Sequence, residues 1–325
     1  MRAVLCRSFA PYTELKLETV PAPVPKTGEL LLAVRAAGVN FLDSLIVEGK
    51  YQLKPPFPFS PGTEVAGVVT AAGPATVGLP VGTRVLAFVG YGGYAEEVAA
   101  PVEQAFAVPQ SMSDAEAAGF AIVYGTSYHA LADRAAIKPG ETLVVLGAAG
   151  GVGLTAVELG KRLGARVIAA ASSDEKLELC RQYGADAVVN YTREDLRERI
   201  RTLTGGRGTD VVYDPVGGPL AEPMVRALGT NGRYLVVGFA AGEIPKIALN
   251  LLLLKQSALV GVFFGAWAKA NPAASAANMA RMFGWYERGE LHPHVSGSYP
   301  LAEFARALRA VVAREVKGKV VLTMP

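Results

Sequence analysis

At 325 residues the chain is long for one domain and of natural length for two. Its 51% hydrophobic and 19% charged content is ample for sizeable cores. A net charge of +3 is too small to point to nucleic acid or to an anionic membrane surface.

Met1–Cys6 lacks the long apolar region of a secretory signal and enters a strand pattern directly. Further strand patterns cover Glu29–Gly38, Val65–Ala71, Thr83–Phe88 and Tyr94–Val98. Prolines and glycines separate them, notably Pro55, Pro56, Pro58, Pro61 and Gly92–Gly93. Short strands between turn signals predict a compact barrel or sandwich up to about residue 120. Beyond it, strand and helix alternate. Leu143–Leu146 reads as a buried strand, Val152–Leu163 as a helix ended by Gly164, and Arg166–Ala171 as a second strand. Asp174–Tyr183 (helix), Ala187–Tyr191 (strand), Arg193–Leu203 (charged helix) and Asp210–Asp214 (strand) follow. A helix to Leu228, then strands Arg233–Gly238 and Leu259–Phe264, complete the run. Repeated β-α with apolar strands predicts a parallel sheet covered on both faces. Residues 265–325 return to longer helices and a last strand, Lys319–Thr323, so the tail is expected to fold back on the first domain. Ile247–Leu254 is apolar but too short to span a membrane. The two cysteines, Cys6 and Cys180, are distant and read as reduced core residues, as in a cytoplasmic protein.

The most telling stretch is Leu143–Gly153, a buried strand that breaks into glycines and opens onto a helix. Backbone N–H groups and the helix dipole make such a turn a seat for a dinucleotide pyrophosphate. In the G-x-G-x-x-G pattern Ala148 takes the first place, while Gly150 and Gly153 hold the other two. Gly150, Gly151 and Val152 would face the phosphates, and Gly153 lets helix pack on strand. An NAD-preferring site would carry Asp or Glu at the end of the next strand, where this chain has Ala171. Ser172 and Ser173 offer hydroxyls there and Lys176 a positive charge, whereas Asp174 and Glu175 could serve a helix cap. NADPH is therefore expected over NADH.

Ala37–Asp43, Pro61–Gly67, Gly90–Ala95, Ala148–Gly153, Val211–Gly218 and Gly318–Leu322 together resemble the zeta-crystallin-like NADPH:quinone oxidoreductases. These form a zinc-free branch of the medium-chain dehydrogenase/reductase superfamily, and the resemblance runs nearly end to end. It implies an α/β architecture: a Rossmann doubly wound parallel sheet, residues 123–262, inserted into a GroES-like β-barrel catalytic domain, residues 1–122 and 263–325. Zinc dehydrogenases of the superfamily carry Cys where this chain has Asn40, and Gly-His-Glu where it has Gly62-Thr63-Glu64. Neutral, hard Asn40 and Thr63 hold zinc poorly, and two distant cysteines cannot build a structural zinc lobe. His292 and His294 flank Pro293 in an expected loop and read as surface residues. Without zinc there is no Lewis acid for an alkoxide, so reduction of an electrophilic acceptor is favoured over alcohol oxidation.

The resemblance places Lys176, Tyr191 and Arg314 at the adenosine phosphate end of the cofactor. It places Asn40 and Thr126 at the nicotinamide, and Val237, Gly238, Phe239 and Phe263 against the cofactor. Asn40, Tyr51 and Thr63 form the expected catalytic set, and the cleft between the domains takes the acceptor. A tyrosine of relatives is Leu45 here, which makes the pocket more apolar. Asn40 equally suits capping backbone groups, Tyr51 and the phenylalanines suit core packing, and Asp43 suits anchoring a loop after Asn40. The cofactor would carry the chemistry while the protein binds and orients. Quinone reduction is the leading expectation. Reduction of activated C=C bonds in 2-alkenals or enones is the alternative, and a non-enzymatic NADPH-binding role the third. The apolar run Ile247–Leu254 with strand Leu259–Phe264 suggests an edge that pairs across a two-fold axis in a homodimer.

Overall fold

The computed structural model describes residues Met1–Pro325. They form two compact units, one of Met1–Ile122 with Asn271–Pro325, the other of Val123–Ala270. The second unit therefore ends eight residues beyond the 262/263 boundary read from sequence and includes Phe264 and Trp267. There the Phe264 ring fills the space beside Gly125, and Trp267 stacks on His129 at 4.1 Å.

In the first unit, strand Glu29–Val39 is the hub of a seven-stranded sheet. Its alternating Leu30, Leu32 and Val34 point into the core with Val65, Val85 and Leu322. It pairs with Glu64–Ala72, with Glu97–Pro101 and with the C-terminal strand Lys319–Thr323. Val320 lies opposite Val39, so Lys319 arrives where that strand ends at Asn40. Val295–Pro300 pairs parallel to the C-terminal strand on the sheet edge. The residues after Asn40 are not the loop expected from sequence but helix Phe41–Val47. Asp43 closes its first turn by accepting the Asn40 N–H at 2.8 Å.

The second unit carries six parallel strands in the order Ala187–Asn190, Arg166–Ala171, Thr142–Leu146, Thr209–Asp214, Leu228–Val236, Ala258–Gly261. All five residues of Thr142–Leu146 are buried, as a central strand covered on both faces requires. Chain direction across the sheet reverses between Thr142–Leu146 and Thr209–Asp214, the position at which doubly wound sheets bind ligands. The last strand is shorter than the expected Leu259–Phe264. It ends at Gly261, and a helix begins at Phe264, whose ring is buried while that of Phe263 is 53% exposed. Cys6 and Cys180 are both buried and free. No helix is long and apolar enough to cross a membrane.

Candidate active site

In the second unit, strand Thr142–Leu146 leads into a turn in which Gly147 takes φ +56° and Gly150 donates to the Gly147 carbonyl at 2.9 Å. Helix Gly151–Arg162 starts there, so the N–H groups of Gly151, Val152 and Gly153 precede any intrahelical partner. A Cβ on Gly153 would stand 2.2 Å from the Gly147 carbonyl oxygen, so only glycine lets helix and strand approach this closely. A Cβ on Gly150 would meet nothing nearer than 3.3 Å, which leaves the mouth of the turn open. Ala148 is buried and needs no positive φ. This cradle fits a diphosphate.

Buried hydroxyls hold the helix in place. Ser127 donates to the Val152 carbonyl at 2.9 Å and lies 2.9 Å from both the Thr155 and Tyr213 oxygens. Thr126 is its half-buried neighbour. The far side of the turn is a loop built on Asp214. Its carboxylate accepts from Val216 N–H at 2.6 Å, from Gly217 N–H at 2.9 Å and from the Tyr234 hydroxyl. Burial raises the Asp214 carboxyl, and those donors oppose the rise. Ser127 and Thr155 carry no site signal in the sequence, whereas Tyr213 and Asp214 fall in the Val211–Gly218 motif with no role assigned to them. The buried strand pattern around Asp214 was the one available signal, since an acid there needs donors.

Strand Arg166–Ala171 ends at a buried alanine, and Ser172 and Ser173 follow, half-buried. Ser173 caps helix Asp174–Gln182 by accepting the Lys176 N–H at 3.3 Å. Asp174 is engaged elsewhere, with Asn190 Nδ2 at 2.7 Å and Arg193 at 2.6 Å. Lys176 and Tyr191 are half-buried around the same strand ends. Val237 and Gly238 donate to the Asp214 carbonyl, and Phe239 is 37% exposed beside them.

In the first unit, Asn40, Asp43, Thr63, Glu64, Tyr94 and Lys319 form a buried polar cluster. The Lys319 ammonium donates to Glu64 Oε1 at 2.8 Å, to Asn40 Oδ1 at 2.7 Å and to the Val39 carbonyl at 2.9 Å. Asn40 Nδ2 donates to Glu64 at 2.9 Å and lies 3.4 Å from Thr63 Oγ1. Glu64 Oε2 accepts the Ile122 N–H at 2.7 Å. Asp43 accepts from Thr63 at 3.2 Å and from Tyr94 at 2.9 Å. Burial lifts the Asp43 carboxyl to about 6, against the pull of its donors and of Lys319. Tyr94 is raised well above the ordinary phenol range by burial and by Asp43. Asn40 and Thr63, expected together from sequence, do meet, but the Asn40 amide points inward. Tyr51 is half-buried against the same core, its phenol raised by burial and by the Asp43 charge. Arg314 follows helix Phe304–Val312, exposed, at φ +58°.

The two oxygens a metal would use, Asn40 Oδ1 and Glu64 Oε1, both hold the ammonium of Lys319. The residues present therefore do not fit a zinc ion, and no group of three or more His, Cys, Asp or Glu is gathered for a metal anywhere in the chain. His129 is buried and engaged with Asp133 at 2.8 Å.

A glycine-turn cradle at the switch point of a parallel sheet defines a nucleotide-binding α/β protein. Residues 26–110 match the alcohol dehydrogenase GroES-like domain, and residues 151–280 match the zinc-binding dehydrogenase domain. A quinone oxidoreductase-like protein 2 homologue of Nematostella vectensis is 39% identical over 91% of this chain and 82% of its own length. A mycobacterial protein solved in complex with NADPH superposes with a TM-score of 0.94 at 32% identity, covering 99% of this chain and 100% of that one. Escherichia coli quinone oxidoreductase, also solved with NADPH, superposes at 0.93 with 27% identity over 99% and 100%. The chain belongs to the quinone oxidoreductases of the medium-chain dehydrogenase/reductase superfamily, and its sheet and GroES-like unit are those expected from its motifs.

Proposed function

We propose that the protein is an NADPH-dependent quinone reductase that works by hydride transfer without zinc. The observation that carries this reading is the open glycine cradle followed by a strand ending in Ala171, where no carboxylate would repel a 2′-phosphate. Bound NADPH supplies the hydride. Gly150, Gly151 and Val152 hold the diphosphate with main-chain amides. Ser172, Ser173, Lys176, Tyr191 and Arg314 take the 2′-phosphate. Val237, Gly238, Phe239 and Phe263 pack on the cofactor, Thr126 orients its nicotinamide end, and Asn40 lines that end while its amide stays bound to Lys319 and Glu64. Tyr51 and Thr63 contact the acceptor, with half-buried Leu45 adding apolar surface.

The Lys319 ammonium supports a zinc-free reaction, because it already engages Asn40 Oδ1 and Glu64 Oε1. Buried free Cys6 and Cys180 suit a reducing, cytoplasmic setting. Pairing into a homodimer is favoured by strand Ala258–Gly261, which ends the parallel sheet, and by Leu249, Leu253 and Leu254, which are 74–78% exposed nearby. A monomeric mass in light scattering at micromolar concentration would count against the dimer.

The deciding experiment is an acceptor screen with NADPH and NADH in parallel on enzyme assayed for zinc. The expected result is NADPH oxidation with ortho- or para-quinones at substoichiometric metal. Oxidation only with enones would replace the acceptor class. Tight NADPH binding with no turnover would indicate a binding role.

A further inference from the structure

Two carboxylates, Asp43 and Glu64, lie wholly buried in one cluster with a single cation, Lys319. With both acids ionised the cluster carries one uncompensated negative charge in a space that excludes water, a costly state that one bound proton removes. The geometry says where that proton goes. Glu64 holds the ammonium directly and accepts from Asn40 Nδ2 and the Ile122 N–H as well. Asp43 has no contact with the ammonium. Its Oδ2 is taken by the Asn40 N–H and the Tyr94 hydroxyl, which leaves Oδ1 facing the hydroxyl of Thr63 alone.

Of the three donors around Asp43, one can pass a proton onward. A backbone amide does not release its hydrogen, and Tyr94 is buried completely with its hydroxyl committed to Asp43. Thr63 both donates and accepts, and it retains 6% exposure. We infer that Asp43 stores the proton that follows the hydride and that the Thr63 hydroxyl hands it to the reduced acceptor. The inference rests on the quinone-reductase reading for the identity of that acceptor.

The quinone gains a hydride, with its two electrons, from NADPH, which is oxidised to NADP⁺. The O–H bond of Thr63 breaks as a bond from its proton to the acceptor oxygen forms. The O–H bond of Asp43 breaks in the same movement, and its proton restores the Thr63 hydroxyl. Hydroquinone leaves, Asp43 remains as carboxylate, and solvent reprotonates it through Thr63. The groups that act on Asp43 are Lys319 and Glu64, with the phenols of Tyr94 and Tyr51 as the other titratable neighbours. The carboxyl stands at about 6, so at neutral pH reprotonation falls off as alkali increases.

Two measurements test this. In infrared titration of the enzyme without acceptor, a protonated-carboxyl band should rise as pH falls through about 6 and be missing from D43N. Its exchange in heavy water should slow in T63V and recover in T63S. In single-turnover NADPH oxidation with a quinone, T63V should lose about 10- to 100-fold with a larger solvent isotope effect and unchanged NADPH affinity, while T63S stays within about threefold. No such band in the wild type at about pH 5, or a T63V enzyme with wild-type rate and isotope effect, overturns the inference. If no quinone is turned over, the acceptor reading fails by itself, and the proton store stands or falls on the infrared band and its exchange. Should D43N not fold, the T63V and T63S pair carries the test.

Discussion

Replacing Lys319 with Met keeps the length and apolar stem of the side chain and removes its charge. Three acceptors then lose the ammonium: Glu64 Oε1 at 2.8 Å, which keeps only Asn40 Nδ2, Asn40 Oδ1 at 2.7 Å and the Val39 carbonyl at 2.9 Å. Glu64 has no surface to regain water. Breaking a buried ion pair from one side costs about 3–5 kcal/mol, mostly the penalty of the stranded charge. The assay is urea unfolding followed by Trp285 in the first unit, with W267F silencing the chain's other tryptophan. K319M should lower first-unit stability by that amount near neutral pH, and by less in acid, where protonation relieves the cluster. Adding E64Q to K319M should recover about 2 kcal/mol, because the stranded charge is gone. A K319M loss under about 1 kcal/mol, or a double variant no better than K319M, would refute the view of Lys319 as an internal counter-cation.

Asp43 also imposes a pH dependence. Its carboxyl moves from 3.8 to about 6 on folding, so the folded protein binds more protons between those values. The stability it adds is complete below about pH 4, and about 3 kcal/mol is lost as pH rises through about 6. The wild type should show this slope and D43N should not; equal slopes in denaturant titrations would contradict it. G150A and G153A should behave differently. G153A forces a contact of 2.2 Å on the Gly147 carbonyl and should lower the melting temperature sharply. G150A, with 3.3 Å of room and φ −77°, should fold normally and bind NADPH weakly; normal binding by G150A would argue against a phosphate in that turn. K176A should cost about 1–3 kcal/mol of NADPH binding in calorimetry and leave NADH binding unchanged, whereas equal losses would remove Lys176 from the 2′-phosphate.

The glycine turn of the second unit was readable because it is local. Strand Thr142–Leu146, its turn and helix Gly151–Arg162 are contiguous, and apolar periodicity and glycine spacing report directly on such a unit. Ala171 was equally legible, since it ends the next strand in order. Strand Val295–Pro300 was missed because a half-buried sheet edge of Ser, Gly and Pro carries little apolar signal. Asp43 was read as a loop anchor, but Asn40 and Asp43 bracket the first turn of a seven-residue helix too short to show a period.

The sequence by itself determined the class of fold, the glycine turn that opens helix Gly151–Arg162 and the absence of thiolate and imidazole at positions 40 and 63, because each is written in neighbouring residues. Only the tertiary structure decided which cation meets the buried groups beside them. Lys319 is separated from Asn40 by 279 residues, and the antiparallel register of Val320 on Val39 brings its ammonium there. A strand register is set by the packing of the whole sheet, so no local pattern in either segment announces the partner that burial makes obligatory.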